Sequence, residues 1–280
     1  LPEPVIRALL SFEEFEKLVG IQREVWKHGD LDVTPVHQFA ISSRMGGILL
    51  GAYVGPELAG FVYSFPAEFR GKRCQHSHLL AVLPEYQGCG IGKALKKAQR
   101  EEALARGYDL ITWTFDPLQS RNANLNLQAL GAVARTYLPN FYGFTPSLNL
   151  APGLPTDRLL IEWPIKTARV RDRLEGRKRT GPAYKPEHLP TALRRKADSR
   201  TGPPVPARPS LDLDARTILV EVPPDVKAVT AADPGLTAAW QNALRRVMTA
   251  YFGRGYRAEH FIFDERSFYV LVRRRGPQAS

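Results

Sequence analysis

Cysteine is scarce in this chain of 280 residues: there are only Cys74 and Cys89. Two cysteines supply neither a disulfide framework nor a zinc site. Long apolar runs are missing too, and none approaches the ~20 residues a membrane span requires. The N-terminal stretch lacks the basic start and apolar core of a signal peptide. These absences predict a protein of the cytoplasm with no membrane and no metal. Acidic residues are outnumbered, 28 against 39 Lys and Arg, which leaves a formal net charge of +11. The excess is local. Between Ile165 and Ser210 thirteen bases face four acids, a surplus of nine, so the rest of the chain is nearly neutral. That distribution speaks against nucleic-acid binding by the main body.

What the chain does have is a glycine loop in a telling place. An apolar run from Leu79 to Leu83 stops at Pro84, glycines follow at 88, 90 and 92, and Ile91, Ala94, Leu95, Ala98 and Ala105 then fall at helical spacing. The pattern reads strand, loop, helix. Without Cβ atoms, the loop lets backbone N–H groups and a helix N-terminus approach an anion, as a phosphate cradle does. A helix dipole adds about 0.3–1 kcal/mol, whereas each N–H bond to a charged oxygen gives roughly 1.5–3 kcal/mol, so loop geometry outweighs net charge. A P-loop would need Gly at 87 and Ser or Thr at 94, where Gln87 and Ala94 stand. A dinucleotide fingerprint would need Gly at Lys93.

The remaining pattern is Gln-x-x-Gly-x-Gly from Gln87 to Gly92, preceded by Ala-Val-x-Pro-Glu-Tyr. It closely resembles the pyrophosphate-binding motif of the GNAT superfamily of acyl-CoA N-acyltransferases. The resemblance spans roughly residues 4 to 165, with specific motifs only between Leu79 and Gly131. It implies an α/β (α+β) fold with a mixed, mainly antiparallel sheet flanked by helices. Gln87, Gly88, Cys89, Gly90, Ile91, Gly92 and Lys93 would hold the pyrophosphate of acetyl-CoA. Backbone groups of Leu80, Ala81 and Val82 would pair with the pantetheine arm where the strands at 79–83 and 110–115 splay. Asn122 and Asn124 are further cofactor contacts by resemblance.

Local signals set the remaining elements. Val5 to Leu10 reads as a strand, and Ser11 with Glu14 forms a capping box opening a helix to about Lys27. Thr34-Pro35 reads as an N-cap with proline at the first helical position, leading a helix to Gly46-Gly47. Trp26, His28, His37 and Gln38 on these helices are candidate acceptor contacts or ordinary packing. Ile48–Val54 and Leu58–Phe65 flank a hairpin turn at Gly55-Pro56-Glu57. His76 and His78 alternate near Cys74, a pattern read as strand-edge residues ahead of a metal site.

The usual GNAT acid, a tyrosine after the Asn helix, is absent: Leu127 and Gln128 stand nearby, and Gly131-Ala132 replaces Gly-Phe. Tyr137 and Tyr142 are the nearest substitutes, or else packed aromatics. Asp116 follows the strand that should border the thioester and is a candidate general base, or a cap on the Asp-Pro-Leu turn. Glu85 is a weaker candidate for the same role. Three parts are expected: an acetyltransferase domain over 1–165, a basic Pro/Gly-rich linker over 166–210 with one short helix at 167–175, and a small β-α-β-β unit over 211–280. The reading is transfer of an acetyl group from acetyl-CoA to a primary amine, in a monomer or homodimer. Its rival is a non-catalytic CoA-binding or regulatory protein of the same fold.

Overall fold

The computed structural model describes residues 3–27, 29–143, 153–176, 184–196 and 202–274. His28 lies outside them. The chain divides into two compact units that each draw on separate stretches: residues 1–113 with 163–171, and 114–162 with 172–280.

In the first unit, strands β1 (Val5–Ala8), β2 (Ile48–Val54), β3 (Glu57–Phe69), β4 (Lys72–Val82) and β5 (Leu110–Phe115, its last two residues counted in the second unit) lie in that spatial order. All neighbours are antiparallel except β4 and β5, which are parallel. Helix α1 (Phe12–Trp26) begins on the expected capping box. The Glu14 amide donates to Ser11 Oγ at 3.2 Å, and the Glu14 carboxylate accepts from the Ser11 amide at 3.1 Å. With Arg7 and Tyr53 also on this carboxylate, its pKa falls to about 2 despite partial burial. Phe15, Leu18 and Ile21 of α1 and Phe39 of α2 (Val36–Arg44) close a core with Leu9, Leu49, Leu58, Phe61, Tyr63, Ala81 and Leu83. Helix α3 (Ile91–Ala105) packs against β2, β3 and β4.

Three expectations need correction. The cap of α2 is Pro35 itself, with no side-chain bond. Thr34 is held instead by buried Gln22, which accepts from its amide at 2.8 Å and donates to its carbonyl at 3.2 Å. Strand β4 starts at Lys72, far ahead of Leu79, so His76 and His78 sit on an interior strand and not at a sheet edge. The buried face of α3 carries Lys96, Gln99 and Ala103 beside Ile91 and Leu95, a different set from the apolar spacing.

The second unit has strand order β7 (Arg158–Pro164, its last two residues counted in the first unit), β6 (Val133–Leu138), β10 (Tyr256–Ile262), β11 (Ser267–Arg273), β9 (Thr217–Val222) and β8 (Thr191–Leu193). The expected β-α-β-β pattern holds with one addition. Helix α6 (Val226–Ala232), capped by Asp225, precedes α7 (Pro234–Gly253), capped by Asp233. Strand β10 pairs with β6 at Ala258 and Ala134, so the C-terminal strands share a sheet with residues 133–138. Two short helices complete the elements: α4 (Ser120–Ala123), continued by a π-helical turn over Asn124–Ala129, and α5 (Ala168–Leu174) in the basic stretch.

Candidate functional site

The glycine loop begins where β4 ends. Pro84–Tyr86 makes a single 3₁₀ turn, and the Tyr86 and Gln87 amides are satisfied by Leu83 and Pro84 carbonyls. Gln87 then turns its side chain back, donating from Nε2 to the Val82 carbonyl at 2.9 Å. Beyond it the accounting changes. Among the described residues, the amides of Gly88, Cys89 and Gly90 have no acceptor in the protein. Those of Ile91, Gly92 and Lys93 open α3, whose first turn cannot satisfy its own N–H groups and which no side chain caps. Gly88 and Gly90 hold φ of +82° and +83°, a conformation L-residues rarely adopt. A Cβ built on any of Gly88, Gly90 or Gly92 meets no heavy atom within 4 Å. A run of unpaired donors around open space, at a helix N-terminus, fits a pyrophosphate.

Upstream of this loop, β4 and β5 part company. Their ladder runs over Gln75 with Ile111 and His76 with Thr112, whereas β4 continues to Val82. Which backbone groups then face the gap follows from alternation. The Leu83 amide donates to Ala59 of the β2–β3 hairpin side at 2.9 Å, which places Leu83 and Ala81 backbone groups toward β3 and those of Leu80 and Val82 toward β5. The Val82 carbonyl is taken by Gln87, so Leu80 offers a donor and an acceptor and Val82 a donor. An extended amide-bearing chain could add there as a strand does.

Close to the fork, β4 carries a bulge. Register against β3 passes from Leu79 opposite Tyr63 to Ser77 opposite Ser64, so His78 is the extra residue. Bulges re-aim side chains, and this one leaves His78 exposed, with its ring 6.0 Å from Tyr63 and 5.8 Å from Phe65. The residue is open to solvent, but its ring is desolvated by the side chains packed around it, and that burial lowers its imidazole pKa below the ordinary range. His76, half-buried with Nδ1 3.0 Å from Thr112 Oγ1, falls further, to about 4, first through burial and then through His78 and Lys96. Both rings are neutral at pH 7. His78 is the residue that sequence reading passed over as a base, because a bulge is a property of register and no spacing announces it.

The other candidates are placed as follows. Glu85 is exposed in the 3₁₀ turn beside the loop, and Cys89 is exposed within it. Lys93 is half-buried in the first turn of α3. On α2, His37 is exposed and Gln38 donates from Nε2 to Ser42 Oγ and Tyr63 Oη at 3.2 and 3.3 Å, while Trp26 packs against the core of the first unit. In the second unit, Asp116 Oδ1 accepts from the Leu118 amide at 2.9 Å, and burial pushes its carboxyl up to about 6. Tyr137 is buried and donates to Asp157 Oδ2 at 2.7 Å. Tyr142 Oη lies 2.8 Å from Thr114 Oγ1. Asn122 is exposed on α4 and Asn124 opens the π-helical turn, a distortion frequent at functional sites. Among the described residues, no cluster of three or more His, Cys, Asp or Glu side chains could hold a metal ion.

Residues 10–131 match the family model of the acetyltransferase (GNAT) family. Three solved structures illustrate the similarity. The ribosomal-protein-S18-alanine N-acetyltransferase of Escherichia coli is 18% identical over 59% of this chain and 96% of its own, with a TM-score of 0.46. The ribosomal-protein-alanine N-acetyltransferase of Brucella melitensis is 19% identical over 56% and 98%, with a TM-score of 0.48. The yncA protein of Salmonella typhimurium, solved with its cofactor acetyl-CoA, is 13% identical over 65% and 99%, with a TM-score of 0.48. No curated protein sequence matches the chain.

Proposed function

We propose, on the premise that residues 10–131 form a domain of the GNAT acetyltransferase family, that the protein transfers an acetyl group from acetyl-CoA to a primary amine. The observation that carries the donor half is the run of unpaired amides from Gly88 to Lys93 at the end of a strand whose side toward β5 is left unpaired beyond His76. Those amides would bind the pyrophosphate, and the Leu80 and Val82 backbone would seat the pantetheine arm. Acetyl-CoA supplies an activated acyl group as a thioester. The chain's remaining task is to take a proton from the attacking nitrogen.

His78 suits that task. It is exposed, carried on an interior strand next to the fork, and mainly neutral at working pH. Its lowered pKa makes it a poor base toward a free ammonium near ~10, and a fitting one toward a nitrogen already committed to bond formation, which is far more acidic. Asp116 is the second reading, because a carboxyl near 6 is also matched to general-base work near neutral pH. Glu85, exposed beside the loop, could serve a weakly basic acceptor through water. Tyr137, the substitute acid suggested by sequence, has its hydroxyl committed to Asp157.

CoA release from acetyl-CoA, followed with a panel of primary amines, tests the reading. Amine-dependent release in the wild type, lost by ~100-fold or more in His78→Ala with CoA affinity retained, supports it; loss in Asp116→Asn instead moves the base there. Tight CoA binding without release for any amine would favour a non-catalytic CoA-binding protein.

A further inference from the structure

The buried face of α3 holds a lysine where an apolar residue would be expected. Lys96 is 2% exposed. Its Nζ donates to Ser77 Oγ at 3.0 Å and Gln99 Oε1 at 2.8 Å, and stands 3.8 Å from the centroid of the Trp113 ring and 5.4 Å from that of Trp163. The two indoles meet edge to face at 5.8 Å. Among the described residues, no carboxylate pairs with the Lys96 amine. Burial alone pushes the amine well below its ordinary range. A buried amine without a counter-ion is costly whenever it carries its charge.

Its position suggests what the cost is for. The last rung of the β4–β5 ladder is His76 with Thr112, and the next residue on each strand is Ser77 and Trp113. Lys96 Nζ touches both. Gln99 Nε2 fastens the same Ser77 hydroxyl at 3.1 Å, so β4 is tied to α3 at the point where the ladder ends. With an amine seated between the serine hydroxyl and the indole, these two side chains are kept from closing onto one another as the next rung of a parallel sheet would have them. Ser77 also adjoins the bulge residue His78, so the same tie fixes the strand that presents the imidazole.

We propose that Lys96 is a positioning residue that sets where β4 and β5 part, and thereby the depth to which the pantetheine arm of an acyl-CoA enters between them. This rests on the reading of the loop as a pyrophosphate site. From Val82 back to Ser77 is five residues of strand, roughly 17 Å at ~3.3 Å per residue. An extended arm with two amides is of similar length, so its reactive end would arrive at the tie, while its phosphate end stays in the loop.

Two ligands separate these ends. CoA carries the arm, whereas 3′-phosphoadenosine 5′-diphosphate carries the pyrophosphate without it. Calorimetry should find Lys96→Met, which keeps the stem and loses the amine, about tenfold or more weaker for CoA and within twofold of wild type for the armless nucleotide. Its Tm should change little, because Ser77 and Gln99 keep their bond to each other and a buried amine is replaced by a buried thioether of similar length. Ser77→Ala, which deletes the strand-side anchor with little change of volume, should show the same split in smaller measure and carries the test if the Lys96 variant does not fold. Unchanged CoA affinity, or equal weakening of both ligands, overturns the proposal. Failure of the wild type to bind either ligand would instead overturn the reading of the loop, and the proposal with it.

Discussion

Gly92→Ala separates folding from binding at the loop with a single methyl group. Gly92 is the second residue of α3, its φ is not in the left-handed range, and its Cβ would meet no protein atom within 4 Å. Nothing in the folded chain opposes the change, and alanine is the better helix former by up to ~1 kcal/mol, less in a first turn. For a protein of this size that corresponds to an unchanged Tm or a rise of about 2–4 °C. The bound anion meets the opposite effect. The methyl would stand among the amides of Ile91, Gly92 and Lys93, and an oxygen forced away from one of them loses roughly 1.5–3 kcal/mol. At 1.4 kcal/mol per decade, CoA affinity should fall about ten- to a hundredfold. Thermal melting and CoA calorimetry on the same preparation read both numbers. Unchanged affinity would show that no anion approaches Gly92, and a fall in Tm would show that the space is not vacant. Gly90→Val is a blunter version: at φ +83° the branched residue strains the loop, so a severe loss of CoA binding there mixes geometry with contact.

The remaining predictions concern charge and chain length. The folded-state pKa of Asp116, about 6 against an ordinary 3.8, is raised, so its penalty is absent below pH ~4, grows through pH 4–6 and is complete above. Asp116→Asn, which keeps an acceptor for the Leu118 amide, should therefore gain up to ~3 kcal/mol over wild type at pH 7.5 and nothing at pH 4; a pH-independent difference in chemical denaturation would refute this. Arg245 holds fully buried Asp157 through two bonds of 2.8 Å, and Arg245→Met should cost about 3–5 kcal/mol by leaving that carboxylate without its counter-charge, with partial recovery on adding Asp157→Asn. If His78 is the base, kcat should fall on an acidic limb lying below pH 6.5, and His78→Ala should lack that limb. Ending the chain at Ser210 removes the strand that pairs with β6 and the partner of Asp157, and should yield an aggregating product; a soluble one with the stability of the whole would contradict the shared sheet.

Local signals made the glycine loop, the capping box of α1 and the extent of α3 legible, because glycine spacing and side-chain caps act over a few residues. Register was not legible. The polar run from Lys72 to His78 does not look like an interior strand, yet its groups are satisfied in pairs: Ser64 Oγ donates to Gln75 Oε1 at 2.9 Å, and Gln75 Nε2 to the Gly46 carbonyl at 3.0 Å. Only the partner strand reveals that His78 is a bulge. Lys96 likewise reads as a solvated helix residue beside Lys97 until Trp113 and Trp163, one on β5 and the other on β7, are brought over its amine. The tie between Ser120 Oγ and the Pro223 carbonyl, 103 residues apart, lies beyond any local pattern.

The pairing of β6 with β10 has a consequence during synthesis. Strand β6 is complete at Leu138 and its partner begins at Tyr256, so 118 residues must be added before the edge can be covered. At ~5–20 residues per second, that leaves a strand edge exposed for about 6–24 s on every nascent chain. Strand β7 follows within 20 residues of Leu138 and covers the other edge early. The open side then presents unpaired N–H and C=O groups to any passing strand. A chain released before Ile262 keeps that side open, and its fate is decided by whichever arrives first, a chaperone or another copy of itself.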